Sequence, residues 1–120
     1  MTLSEQQRQF SLMLGNFLVW IYQQQGLAVV MGEVKRPVEM QKLYVEQGKS
    51  KTMQSKHVDS LAVDLSLFVD GVYQTEGDVY RSLGLKWESM GGRWGGRFGV
   101  DPKDYAVKIG WDANHFELSQ

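Results

Sequence analysis

Two histidines and a few carboxylates are the residues of this sequence that could carry out chemistry. The 120 residues include two His and no Cys. Without Cys there can be no disulfide framework, no Cys-ligated zinc finger and no thiol nucleophile. Any metal ion would therefore be bound by His, Asp or Glu. His57 lies seven residues before Asp64, and His115 lies between Asp112 and Glu117.

Two His and one Asp provide three ligands that suit zinc and leave a fourth position for water. A carboxylate that lies near this water without binding the metal can accept its proton, which completes a minimal metallohydrolase site. On spacing alone two interpretations stay open. The residues either form such a site or include two unrelated histidines of the surface or the core.

Asp64 lies in a segment, residues 61–65, whose pattern predicts a strand that continues towards Phe68. Successive side chains of a strand point to opposite faces. The apolar side chains of one face are Leu61, Val63 and Leu65. Placing them in the core turns Asp64 towards the opposite, open face, where Ala62 leaves room beside it.

Three helices are predicted around this strand. Residues 4–24 form the first, with Ser4 as its N-cap and Gly26 after its end. Its apolar stripe consists of Phe10, Met13, Leu14, Phe17, Leu18 and Ile21. Residues 37–47 form the second helix, which begins at Pro37 and has Met40, Leu43 and Tyr44 on its inner face. Residues 77–90 form the third.

Further strands are predicted before and after this one in the sequence. Residues 27–34 are apolar and rich in β-branched side chains. Asp70-Gly71 is a turn signal, from which Val72 and Tyr73 return as a short hairpin arm. The last strand covers residues 114–118 and carries His115 and Glu117 on one side.

A glycine-rich tract, residues 91–96, precedes the last strand. It lacks the Lys-Ser/Thr of a phosphate-binding loop and the glycine spacing of a dinucleotide site. We therefore expect backbone that packs closely against a site, with Trp94 as a wall.

Composition and charge exclude several classes of function. The 13 Lys and Arg against 14 Asp and Glu give a net charge of −1, which provides no bulk attraction to nucleic acid or anionic membrane. The most apolar stretch, residues 10–22, is too short for a membrane span and is interrupted by polar residues and glycine. It also lacks the preceding basic cluster and the following small-residue cleavage site of a signal peptide. We expect one domain over residues 1–120, made in the cytoplasm.

Two motifs resemble those of a known enzyme family. The segment Ser55–Asp64, SKHVDSLAVD, resembles the Ser-x-His-x-x-Gly-x-Ala-x-Asp motif of zinc peptidases that cut peptidoglycan peptides, and Asp112–Glu117, DANHFE, resembles their second motif. These are the D-Ala-D-Ala carboxypeptidases and phage L-alanyl-D-glutamate endopeptidases of the lysostaphin–D-Ala-D-Ala peptidase–hedgehog superfamily. The segments VKRP at 34–37, with Gln41 and 48–50, and Trp94-Gly95-Gly96 are also typical of phage endolysins. Ser60 departs from the pattern, which has Gly there, and a positive φ at this position would cost about 1 kcal/mol.

The resemblance implies a role for each matching residue. His57, Asp64 and His115 would bind zinc, and Asp112 would be the general base. Arg36 would reach the scissile carbonyl oxygen or a substrate carboxylate, unless it is a surface residue that pairs with Glu33 or Glu39. Glu117 would fix the His115 imidazole, with the role of base as its alternative. Ser55 would hydrogen-bond within its loop or touch substrate, and the basic loop residues Lys49, Lys51 and Lys56 would suit the free carboxylates of a stem peptide.

The resemblance also implies a fold and a function. The fold would be α+β, with helices on one face of a small, mostly antiparallel sheet and a zinc cleft on the other. The leading function is a phage or prophage endolysin, active as a monomer with no separate wall-binding module, that cleaves the L-Ala–D-Glu bond of peptidoglycan in the periplasm after synthesis in the host cytoplasm. The alternatives are a D,D-carboxypeptidase or D-Ala-D-Ala dipeptidase of the same fold, and a non-catalytic zinc-containing binding module. The acidic stretch 70–78 is expected to be a solvated turn rather than a calcium site.

Overall fold

The computed structural model describes residues 1–50 and 54–119. Along the chain lie helix α1 (Leu3–Gln23), strand β1 (Leu27–Met31), helix α2 (Val38–Glu46) and strands β2 (Ala62–Val69) and β3 (Val72–Tyr73). Helix α3 (Arg81–Ser89) and strands β4 (Gly92–Trp94) and β5 (His115–Leu118) follow, with short 3-10 turns at Gly77–Tyr80, Gly95–Arg97 and Pro102–Asp104. None of the helices in these ranges has the length and apolar character that crossing a membrane requires.

The strands form one antiparallel sheet in the order β1-β2-β5-β4, and β3 pairs with the far end of β2. Helices α1 and α3 contact each other and cover one face of this sheet. Helix α2 has one fully buried side chain, the polar Gln41. The predicted α+β architecture is therefore confirmed, with α1 and α3 on the core face.

The core lies between α1, α3 and the sheet. The stripe of α1 contributes Phe10, Leu14, Phe17 and Ile21, which are all buried. The ring of Phe17 is fully buried, with its centroid 5.0 Å from that of Trp87 on α3 and 5.1 Å from that of Phe116 on β5. These aromatic contacts join the two helices to the sheet.

The predicted register of β2 is confirmed. Leu61, Val63 and Leu65 are buried in the core, whereas the Asp64 side chain is 28% exposed on the other face. Asp70 and Gly71 both have positive φ, as a two-residue hairpin turn requires, and β3 returns from them as predicted. Ser60 also has positive φ, at 57°.

Several boundaries and faces differ from the predictions. Helix α1 begins after Thr2, whose side chain accepts a hydrogen bond from the Glu5 amide in a capping box, so Ser4 is not the N-cap. Strand β1 ends at Met31 rather than at residue 34. The third helix begins with a 3-10 turn at 77–80.

The predicted inner face of α2 is wrong. Leu43 is 40% exposed, and Met40 and Tyr44 are only half-buried. Gln41 is buried instead because its amide bonds Arg36 and Ser50, which lie on either side of the helix in the sequence. The helix therefore packs through a polar network rather than through an apolar stripe.

The glycine-rich tract contains β4, a strand that the sequence pattern did not predict. A Cβ at Gly92 would lie 2.1 Å from Nε1 of Trp87, and one at Gly84 would lie 2.0 Å from the Trp94 ring. Trp94 is fully buried and donates from Nε1 to the Ala113 carbonyl over 2.6 Å. The tract thus packs against the core at Gly92 and, as predicted, against the site at Gly95, where a Cβ would lie 2.0 Å from the Asp112 carbonyl oxygen and 2.9 Å from Cβ of His115. Trp94 belongs to the core and is not a wall of the cleft.

Candidate metal centre

The antiparallel pairing of β2 with β5 places Asp64 directly opposite His115. Side chains of directly opposed residues lie on the same face of a sheet. Because Val63 and Phe116 fill the core face, Asp64 and His115 project together from the other face. His57 joins them from the turn at residues 56–60, just before β2.

Three donor atoms converge at this point. Nε2 of His57 lies 3.2 Å from Oδ1 of Asp64 and 3.2 Å from Nδ1 of His115, and that Nδ1 lies 3.4 Å from the same Oδ1. Four ligands arranged tetrahedrally about 2.0–2.1 Å from a zinc ion are about 3.3–3.4 Å apart. The three atoms therefore have the spacing of three corners of a zinc coordination tetrahedron.

Hydrogen bonds on the outer side of each ring turn the inner nitrogen towards this point. Nδ1 of His57 lies 3.1 Å from the Val34 carbonyl oxygen, which can only accept, so Nδ1 carries the proton and Nε2 the lone pair. Nε2 of His115 lies 2.7 Å from Oε1 of Glu117 and donates to that carboxylate, which leaves the lone pair on Nδ1. Such outer partners fix the tautomer of metal-binding histidines.

The electrostatics of the group require a cation. Two nitrogen lone pairs and a carboxylate face one another, so a proton or a metal ion must lie among them. Burial by itself would raise the pKa of Asp64, but hydrogen bonds with His115 and His57 outweigh it and hold that pKa well below its usual range. Burial would lower the pKa of His115, but its hydrogen bonds with Asp64 and Glu117 raise that pKa to about 9. Within residues 1–50 and 54–119, this is the one group of three or more potential metal-ligand residues, and the acidic stretch 70–78 forms none.

Asp112 lies beside the donors without belonging to the group. Its Oδ2 is 3.6 Å from Nδ1 of His115, which is too long for a hydrogen bond, and its side chain is 38% exposed towards the cleft. Burial raises the pKa of Asp112; the nearby His115 lowers it, and the negative charge of Asp64 raises it further. The carboxyl is therefore close to the three donor atoms and accessible to a molecule in the cleft.

Arg36 lines the cleft and is held by several partners. Its Nη2 is 2.5 Å from Oε1 of Glu33, and its Nη1 donates to Gln41 over 2.6 Å. The side chain is only 11% exposed, and its guanidinium carbon lies 4.9 Å from the centroid of the Tyr44 ring. Of the two carboxylates considered for pairing, the partner is Glu33. Arg36 thus both forms an ion pair and contributes to the cleft wall.

Ser55 has a structural role in the same wall. Its Oγ accepts a hydrogen bond from the His57 backbone amide over 3.2 Å and another from Nη1 of Arg36 over 3.4 Å. This hydroxyl links the arginine to the turn that carries His57. Ser55 also lines the cleft.

The cleft has a volume of about 710 Å³ and both charged and aromatic walls. Its lining residues are Arg36, Gly48, Lys49, Ser50, Gln54, Ser55, Lys56, Arg93, Phe98, Gly99, Trp111, Asp112, His115 and Glu117. Two of the three predicted loop lysines thus line it, and Lys51 lies outside the described residues.

Three charged or aromatic residues that line the cleft were not predicted from sequence: Arg93, Phe98 and Trp111. Trp111 directly precedes Asp112, so its position next to the second motif was a usable signal. Arg93 lies within the glycine-rich tract and Phe98 lies two residues after it, where no strand was predicted, and they had no such signal.

Comparison with known proteins supports the fold. One similar solved structure is the crystal structure of the Serratia marcescens L-Ala D-Glu endopeptidase ChiX, with a TM-score of 0.71 and 22% sequence identity. The match covers 97% of this chain and 85% of the other. Neither a protein-family model nor a curated protein matches the sequence significantly.

Proposed function

We propose that this protein is a zinc-dependent peptidoglycan peptidase that cleaves the L-Ala–D-Glu bond of stem peptides. The observation that carries the proposal is the tetrahedral spacing of His57 Nε2, Asp64 Oδ1 and His115 Nδ1 next to a cleft that His115 and the Asp112 carboxyl line. The similar fold of a protein described as an L-Ala D-Glu endopeptidase supports the choice of bond.

The donor set fits zinc, since imidazole nitrogen and carboxylate oxygen are ligands that this ion takes in hydrolases. A zinc ion held there would supply a Lewis acid for the scissile carbonyl and lower the pKa of water. His57, Asp64 and His115 would hold it, and the Val34 carbonyl and Glu117 keep both rings in the orientation that this requires.

Asp112 is the proton carrier in this mechanism. Its carboxylate accepts a proton from the attacking water and returns it to the departing amide nitrogen. Its position 3.6 Å from His115 Nδ1 keeps it next to the reacting atoms. Glu117, by contrast, is 7% exposed and bonded to His115 on the side away from the other donors, which suits support rather than proton transfer.

Arg36 orients the substrate and stabilises the oxyanion. Glu33 and Gln41 fix the guanidinium, so its donors are positioned before substrate binds. Positioned charges of this kind stabilise negative charge that develops on a carbonyl oxygen, because no reorganisation is needed during the reaction.

The biological role is proposed from the motifs that resemble phage endolysins. The enzyme would be made in the host cytoplasm and would act on the peptidoglycan of the periplasm at lysis. The basic residues of the cleft, among them Lys49 and Lys56, suit the free carboxylates of stem peptides.

Digestion of purified sacculi tests the proposal. The zinc-loaded protein should release fragments with new D-Glu amino termini, identified by mass spectrometry after amino-terminal labelling. Asp112→Asn serves as the matched inactive control. Release of free D-Ala would instead indicate a D,D-carboxypeptidase. Binding to sacculi without any release would indicate a non-catalytic module.

A further inference from the structure

The cleft contains a second arginine on the side opposite Arg36. Arg93 lies on β4, where it pairs with Glu117 of β5, and it lines the cleft together with Asp112 and His115. Arg36 lies beyond β1, next to the turn that carries His57. Since the sheet order is β1-β2-β5-β4, the two arginines enter the cleft from opposite edges of the sheet, with the strands that carry Asp64 and His115 between them.

The two arginines differ in exposure. The Arg36 side chain is 11% exposed and is held by Glu33 and Gln41. The Arg93 side chain is 60% exposed, and its closest carboxylate oxygen, Oε2 of Glu117, is 3.7 Å away. The other oxygen of that carboxylate bonds His115 over 2.7 Å. Arg93 is therefore the more exposed of the two arginines that line the cleft.

The Arg93 guanidinium lies over an aromatic ring. Its central carbon lies 4.7 Å from the centroid of Phe98, which also lines the cleft. Stacking on an aromatic face restrains an arginine and leaves its edge available for hydrogen bonds. A guanidinium edge matches a carboxylate, because the two groups can form two parallel hydrogen bonds.

We propose that Arg93, supported by Phe98, binds a substrate carboxylate on the β4 side of the metal donors. This inference rests on the proposed function and specifies its substrate further. In a stem peptide D-Glu is joined to the next residue through its γ-carboxyl, so its α-carboxylate stays free on the carbon that bears the scissile nitrogen. That carboxylate has to lie close to the metal donors when the bond is cleaved, and Arg93 is a specificity-determining residue for it.

The test compares two stem peptides that differ only in whether this D-Glu carries an α-carboxylate or an α-carboxamide. The wild-type protein should prefer the carboxylate peptide by about 10- to 100-fold in kcat/KM, as the loss of a charge-assisted, bidentate contact predicts. In Arg93→Gln the preference should fall to within about twofold. Both peptides use the same metal centre, so the ratio is insensitive to any loss of zinc through Glu117.

Control variants distinguish a specific role of Arg93 from a general effect of positive charge on the protein. Arg8→Gln, on the exposed surface of α1 and outside the cleft, should keep the full preference. Arg93→Lys should keep part of it, because Lys provides charge without the planar edge. Loss of the preference in Lys49→Gln but not in Arg93→Gln would overturn the inference, as would equal cleavage of both peptides by the wild type.

Binding measurements distinguish failure of this inference from failure of the proposed function. If the wild type cleaves neither peptide, the proposed function fails, and the dissociation constants of the two peptides are compared by calorimetry. A carboxylate preference that disappears in Arg93→Gln would still support the inference. Equal dissociation constants for the two peptides would contradict it.

Discussion

The most informative prediction concerns the different roles of Asp112, as general base, and Glu117, as the residue that orients His115. Both carboxylates contact His115, but they lie on opposite sides of its ring: Oδ2 of Asp112 is 3.6 Å from Nδ1, and Oε1 of Glu117 is 2.7 Å from Nε2. Asp112→Asn should leave zinc content near that of the wild type, because no donor atom is lost. Its kcat should fall by about 10²- to 10⁴-fold, as expected for a lost acid–base catalyst.

Glu117→Gln should behave differently. Glutamine keeps an oxygen that can accept a hydrogen bond from His115, but this bond is no longer charge-assisted. A neutral hydrogen bond is about half as strong as a charge-assisted one. The loss corresponds to a zinc affinity about 10- to 100-fold lower, which is the range for partners of metal-binding histidines. Added zinc should therefore restore much of the activity of this variant.

The assay measures zinc content and zinc titration curves alongside cleavage of a stem peptide for the wild type and both variants. One combined result would refute the reasoning. It is a Glu117→Gln protein that holds a full equivalent of zinc and is inactive, beside an Asp112→Asn protein that is active.

The remaining predictions concern stability and the cleft wall. Ser60→Gly should raise the free energy of unfolding by up to about 1 kcal/mol, because φ at this position is 57°, and thermal denaturation should show a higher Tm; an unchanged or lower Tm would contradict this. Phe17→Ala should lower the free energy of unfolding by about 3–5 kcal/mol in urea denaturation, since the ring is fully buried, and a loss below about 1 kcal/mol would show that it is not central to the core. Gln41→Met should destabilise the protein by about 1–3 kcal/mol while zinc content is kept, because Arg36 and Ser50 both lose a buried partner; wild-type stability of this variant would mean that the network is dispensable.

The parts of the fold with a strong local pattern could be predicted from sequence. The stripe of α1 and the alternation in β2 each assign an apolar face, and both faces are buried as expected. The same alternation turned Asp64 to the open face, and the i, i+2 spacing placed His115 beside Glu117. These features depend on periodicity, which is a property of the chain itself.

The parts that depend on long-range contacts could not be predicted in this way. Gln41 is buried because Arg36 and Ser50 meet it in space, and no apolar pattern indicates such a polar contact. In strand β4, close packing against α3 sets the positions of Gly92 and Trp94. Glycine has no strand preference, so a segment of this composition has no local signal for a strand.

The same reason explains what was missed in the cleft. Arg93 enters the site because β4 pairs with β5, and Phe98 enters because the chain turns just after β4. Trp94, the aromatic residue assigned to the cleft from sequence, points into the core on the opposite face of the strand. Because β4 was not predicted, the sequence did not indicate which side chains of this segment face the cleft and which face the core.

The atoms that hold the metal provide the most direct test of the central claim. A crystal structure of the zinc-loaded protein, with anomalous scattering measured on both sides of the zinc absorption edge, would locate the ion and its ligands. We predict one zinc ion bound by Nε2 of His57, a carboxylate oxygen of Asp64 and Nδ1 of His115, at about 2.0–2.1 Å from the two nitrogen atoms. An ion bound instead through Nε2 of His115 and Glu117, or no anomalous peak among the three residues, would contradict it.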